Sequence, residues 1–240
     1  MSRTHLRRTA GAGVAAAIIA AGLMGAPAAH AEEAPQPPTA QEYVAWLKTQ
    51  NDPGAKETEA QFKALSSANQ QKFLKYLVDP EVLKGLVAAE GTAGGASPAR
   101  AQLAEGDVVV ETSGGIAPEP PIGVAAMAKA SSGDWSCWYN AKQKILGVTI
   151  TSLNFKQWYR SSSKKVTKVY NASASHKNYN PGVSISHEPE EQWISAAGNA
   201  LAYVTWHGSI VYKGFGINLD KRHHLRCDET GLRYYYLKNV

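Results

Sequence analysis

The stretch WISAAGNALAYVTWHGSIVYKGFGI, residues 193–217, alternates apolar and polar side chains and is broken by Gly198-Asn199 and Gly208-Ser209. Both dipeptides suit two-residue hairpin turns, so the spacing predicts three antiparallel strands, over residues 193–197, 200–206 and 210–217. Working outward, Asp228-Glu229-Thr230-Gly231 introduces a β-rich run over residues 232–237, and further runs cover 135–139, 145–150, 155–159 and 166–172. Seven or eight strands in residues 134–240 point to an antiparallel sandwich or small barrel.

Residues 32–90 have helical periodicity instead. Thr39 and Glu42 have capping-box spacing ahead of Tyr43, Trp46 and Leu47. A second helix is expected over residues 55–65, and a third starting at Ser67 with Gln70 in the box position. Asp79-Pro80 supplies an N-cap and an N1 proline for a fourth, carrying Val82, Leu83, Leu86 and Val87. So small a bundle seldom stabilises itself and is expected to lean on another part of the chain. Residues 91–133, rich in Gly, Pro and Ala, read as a linker in which only residues 108–111 have strand character. The fold class is thus α+β in segregated parts, with the helical segment first and the all-β domain last.

Arg3, Arg7 and Arg8 precede an apolar run over residues 14–24, and Ala29-His30-Ala31 precedes Glu32. These are the parts of a secretory signal peptide in order, so residues 1–31 are expected to be cleaved and the mature protein to be extracellular. The apolar run is shorter than the roughly 18 to 20 residues that cross a membrane permanently, so no transmembrane segment is expected after cleavage. The Ala-rich leader resembles those of exported proteins of filamentous actinobacteria. The resemblance covers the leader alone and implies export, with no activity attached.

Cys137 and Cys227 are the two cysteines. In an oxidising compartment the pair is expected to form a disulfide. Neither lies in a C-x-x-C unit, and neither H-E-x-x-H nor G-x-S-x-G occurs, so no metal or cofactor is expected.

Charge separates the two parts. Residues 32–133 carry 8 Lys and Arg against 13 Asp and Glu, a net of −5, whereas residues 134–240 carry 14 against 7, a net of +7. The opposite charge of residues 32–133 makes the helical part within them, residues 39–90, a candidate intramolecular partner of the basic domain. The basic residues cluster at Arg160, Lys164, Lys165 and Lys168, and again at Lys221 and Arg222, where His223, His224 and Arg226 follow. In Tyr234-Tyr235-Tyr236 neighbouring rings must point to opposite faces, and Tyr235 is taken as the ring available for stacking.

Basic loops mixed with aromatics suit a polyanion or a glycan, which makes a secreted binding module the leading expectation. A secreted nuclease-like hydrolase made as a precursor is an alternative, with His187, Glu190, His223, His224 and Arg226 as acid/base and phosphate-binding candidates. A proteinaceous inhibitor or toxin-like binding protein is a third. Convergence of a histidine with a carboxylate and an arginine would favour the hydrolase, and dispersal would favour binding.

Overall fold

Polar caps start all four helices in a computed structural model that describes residues 36–86, 99–119, 132–212 and 215–240. The leader and parts of the Gly- and Pro-rich stretches lie outside these residues. Helix α1, Ala40–Thr49, opens on the complete Thr39/Glu42 capping box. Asp52 accepts from the amides of Gly54 and Ala55 to start α2, Pro53–Ala64. For α3, Ser67–Leu77, the cap is Ser66, one residue earlier than the spacing predicts. Gln70 is thereby freed from box duty, and its side-chain amide donates to the carbonyls of Phe62 and Leu65. Asp79 caps the short α4, Pro80–Gly85.

The buried faces of these helices bring Tyr43, Phe62 and Phe73 together, with ring centroids 5.0 to 5.4 Å apart. The same core holds Val108, Ile145, Val148 and Ile150 from the strands. Long-range hydrogen bonds fix the junction: Tyr43 donates to the Tyr179 carbonyl at 2.9 Å, and Asn180 donates to that of Leu77 at 2.8 Å. Residues 35–240 accordingly form one compact unit.

Two antiparallel sheets make a sandwich-like body. The first has the order β1-β2-β3-β4-β5, from Ala99–Leu103, Val108–Pro118, Gly133–Ile145, Val148–Ser161 and Val166–Asn178. The second has the order β10-β9-β8-β6, with β7 also on β8, from β6 Val183–His187, β7 Glu191–Ile194, β8 Ala200–Tyr212, β9 Phe215–Asp228 and β10 Gly231–Asn239. Among the described residues no barrel closes.

Three expectations need correction. Gly208-Ser209 is not a turn: Gly208 pairs with Ile185 on one side and Leu219 on the other, so β8 runs through it. Two occupied ladders hold the backbone extended there more firmly than a turn-prone dipeptide bends it. Residues 145–150 are not one continuous strand: Ile145 ends β3 and Val148 starts β4, and between them Leu146 (φ 49°) and Gly147 (φ 84°) have the two positive φ values of a tight twist-matched turn. The amide of Leu146 donates to the Asp107 carbonyl at 2.6 Å and anchors it. Finally, the stretch read as linker contributes β1 and the 11-residue β2, which pairs with β3 along its whole length. Its Gly and Ala content hides the strand because β3 supplies the order its own side chains lack.

Cys137 on β3 and Cys227 on β9 form the disulfide, joining the inner faces of the two sheets across a sequence separation of 90. Trp135, Tyr159 and Val166 pack around it.

Candidate binding face

Strand period divides the second basic cluster between two environments. Lys221, His223, Leu225 and Cys227 of β9 point inward, whereas Arg222, His224 and Arg226 lie on the outer face. On β10 a bulge between Leu232 and Tyr234 resets the phase, so that Tyr235 and Leu237 enter the core and Tyr234, Tyr236 and Lys238 face outward. Lys221 is only 4 % exposed and Tyr235 only 3 %, so neither is available on the surface. Both choices assumed loop geometry or the opposite strand phase.

The outer face is a set of cross-strand rows. Leu201, Arg226 and Tyr234 form one row, Tyr203, His224 and Tyr236 the next, and Thr205, Arg222 and Lys238 a third. Successive rows are roughly 7 Å apart along the strands. The guanidinium of Arg222 sits 4.5 Å over the Tyr203 ring, and the Lys238 ammonium 4.3 Å over that of Tyr236. His224 lies parallel to Tyr236, centroids 4.9 Å apart, and edge-on to Tyr234. At the side of the platform Trp193, 39 % exposed, meets Tyr203 edge to face.

Among the described residues no carboxylate lies within ion-pair distance of Arg222, Arg226 or Lys238. Burial, with the positive charges of Arg226, Lys238 and Arg222, pushes His224 down to about 4. His224 is therefore neutral at pH 7 and acts as a stacking ring. The face is cationic, aromatic and partly exposed.

One edge of this face behaves differently. His207 on β8 has Nδ1 2.9 Å from Asp220 Oδ1 and Nε2 3.5 Å from Glu188 Oε1. The Asp220 hydrogen bond, aided by the Glu188 charge, raises its pKa.

The remaining sequence candidates disperse. His223 is fully buried, and desolvation followed by the His224 charge pushes it down to about 3. His187 turns Nδ1 to the Glu188 carbonyl and packs edge-on against Trp206. Glu190 accepts from the Ala174 amide at 2.7 Å, tying the β6–β7 break to β5. His223 thus lies inside the sandwich, while His224 and Arg226 lie outside it.

In the first basic cluster, Asp134 holds Arg160 through two bonds of 2.8 and 2.7 Å and also accepts from Tyr170. These bonds hold the Asp134 carboxyl down at about 2. Lys164 and Lys165 are exposed in a turn closed by Ser162, and Lys168 lies 4.8 Å over Tyr170.

Sequence reasoning missed Tyr203, Tyr236 and Lys238, and took Tyr235 rather than Tyr234 as the outward ring. The signal was the period-two spacing of Arg222, His224 and Arg226 and of Tyr234, Tyr236 and Lys238, which places each set on one face of a strand.

No protein-family model matches the chain, and no curated protein matches it. Among solved structures, the hypothetical protein lmo2686 of Listeria monocytogenes EGD-e is similar over 59 % of this chain and 98 % of its own length, at 14 % identity and a TM-score of 0.25. So low a score carries no argument. What can be said of the chain rests on its own architecture: a small helical segment joined to two antiparallel sheets, with one disulfide between them.

Proposed function

We propose that this protein is a secreted binding module for an extended polyanion, held across the outer face of β8, β9 and β10. The observation that carries this reading is the set Arg222, Arg226 and Lys238, none of them ion-paired among the described residues, interleaved with Tyr203, Tyr234 and Tyr236. Cations attract a phosphate or sulfate chain without sequence preference, while the half-buried rings supply what stacking surface they leave uncovered. Rows repeating along the strands suit a ligand that itself repeats. Export is supported by the leader of residues 1–31 and by a disulfide suited to an oxidising compartment. Among the described residues, no helix is long and apolar enough to cross a membrane. Within this reading residues 39–90 act as an intramolecular partner, a role supported by the core they share with β2, β3 and β4.

Binding of heparin and of a single-stranded oligonucleotide tests the proposal. Affinity should fall steeply with salt, and the triple variant Arg222→Ala, Arg226→Ala, Lys238→Ala should reduce the salt slope by about 3. Undiminished binding by a folded triple variant would exclude this face.

The hydrolase reading keeps one specific support, the meeting of His207 with Asp220 and Glu188 on the same face as Arg222. RNA cleavage lost in His207→Ala would favour it. Binding without turnover would favour the module.

A further inference from the structure

The outer face of the first sheet carries a second aromatic site, which is close to neutral rather than cationic. Trp138 and Asn140 of β3, Asn154, Lys156 and Trp158 of β4, and Ser173 and Ser175 of β5 line a shallow solvent-open groove. Strand pairing brings them together: Trp138 faces Lys156, Asn140 faces Asn154, Lys156 faces Ser173, and Asn154 faces Ser175.

Gly115 on β2 determines the pose of Trp138. The two residues are direct cross-strand partners, and a Cβ at position 115 would lie 2.7 Å from Cζ2 and 3.2 Å from Cε2 and Cη2 of the indole. The ring therefore rests flat over the glycine backbone and turns its other face outward. Any larger residue at position 115 would lift it. The Lys156 ammonium lies over one face of the Trp158 ring, 4.6 Å from its centroid, and leaves the other face for a ligand.

The groove is close to neutral. Its cation, Lys156, is bonded to Glu119 at 3.0 Å, and Asn140, Asn154, Ser173 and Ser175 supply amide and hydroxyl groups. Among the described residues, the side chains of Asn140, Ser173 and Ser175 make no hydrogen bond to the protein. A site for a polyanion would carry unpaired cations, and one for an apolar partner would lack the amides and hydroxyls. Flat indoles beside uncommitted neutral donors and acceptors match a pyranose, whose C–H face stacks on an aromatic ring while its hydroxyls hydrogen-bond at the rim. Two tryptophans at diagonal positions on neighbouring strands, roughly 7 to 8 Å apart, suit a chain of sugars better than a monosaccharide.

We propose that the Trp138–Trp158 groove is a binding site for a neutral oligosaccharide. It is separate from the polyanion face and does not depend on that reading.

The full-length mature chain would be screened on an array of neutral glycans that includes cellohexaose and hexa-N-acetylchitohexaose, with affinities measured by calorimetry. Binding should persist at 1 M salt, unlike binding of heparin, because no charge pairing is involved. Trp138→Ala and Trp158→Ala should each weaken it at least tenfold. Gly115→Val should do so without removing any contact atom, and the Arg222, Arg226, Lys238 triple variant should leave it unchanged. Thermal melting identifies variants that fail to fold, and Asn140→Ala with Ser175→Ala offers a milder second pair. Absence of binding to every neutral glycan, or equal binding by folded tryptophan variants, overturns the proposal. Loss of glycan binding in the triple variant alone overturns it too, by moving the ligand to the second sheet.

Discussion

The indole N–H of Trp206 donates to Nδ1 of His223 at 3.3 Å between the two sheets. That bond fixes the tautomer, because an acceptor Nδ1 leaves the proton of the neutral imidazole on Nε2. Tyr139 and Phe155 enclose the same ring, with centroids 5.1 and 5.2 Å away.

Acid sensitivity follows from this burial. Unfolded histidine takes up a proton near pH 6.5, whereas folded His223 resists protonation down to about 3. Between those values the unfolded state binds more protons, so stability falls as pH falls, by up to about 1.4 kcal/mol per pH unit. His224 adds a shift of the same sign. His223→Gln, which keeps an acceptor without a titrating proton, should flatten the dependence of melting temperature on pH between 4 and 6.5. An equally steep profile in that variant would assign the effect elsewhere.

The disulfide should carry a large share of the stability. Closing a loop of this length is worth about 4 to 5 kcal/mol in the chain-entropy treatment. Cys137→Ala with Cys227→Ala should shift the denaturation midpoint sharply downward. Mass spectrometry of unreduced protein after alkylation should find neither thiol free.

How far these features were legible in the sequence varied with their physical origin. Local signals were readable: the Thr39/Glu42 box, the Asp79-Pro80 start and the Cys137–Cys227 pairing depend on neighbouring residues or on counting. Features set by distant partners were not. Gly208 looks like a turn until Ile185 and Leu219 are known to flank it, and β2 looks like linker until β3 lies beside it. For the site, the residue cluster 221–226 was recognised but not its division, since a basic run read as a loop has no inner side. The groove at Trp138 gave no local sign at all, because the glycine beneath its ring comes from 23 positions earlier in the chain.

Asp52 joins helix to sheet through one carboxylate. Its Oδ1 accepts from the amides of Gly54 and Ala55 and from the Tyr179 hydroxyl at 2.9 Å, with Lys177 at 3.5 Å. Asp52→Ala should cost about 0.5 to 2 kcal/mol, the usual range for losing an N-cap. Asp52→Asn retains capping and should recover most of that in urea unfolding. If the two variants were equally unstable, the charge rather than the cap would be responsible.

His207 makes the last prediction, because its linkage has the opposite sign to that of His223. Asp220 and Glu188 favour the charged imidazolium, so its folded pKa lies above the unfolded value. The contribution is fully present below about pH 6.5 and is lost as pH rises through the folded pKa. Its size is limited by solvent, since the three side chains are between 41 and 56 % exposed. The local consequence is sharper than the global one. Glu188 begins the break between β6 and β7, so deprotonation loosens the tie between that break and β8. Amide exchange at residues 186–188, corrected for the intrinsic pH dependence, should therefore accelerate as pH rises from 6 to 8.5, with the His207 ring resonance titrating over the same interval. In His207→Gln the corrected rates should be flat across that range. A His207 resonance titrating below pH 6.5 would show that neither carboxylate holds the imidazolium in solution.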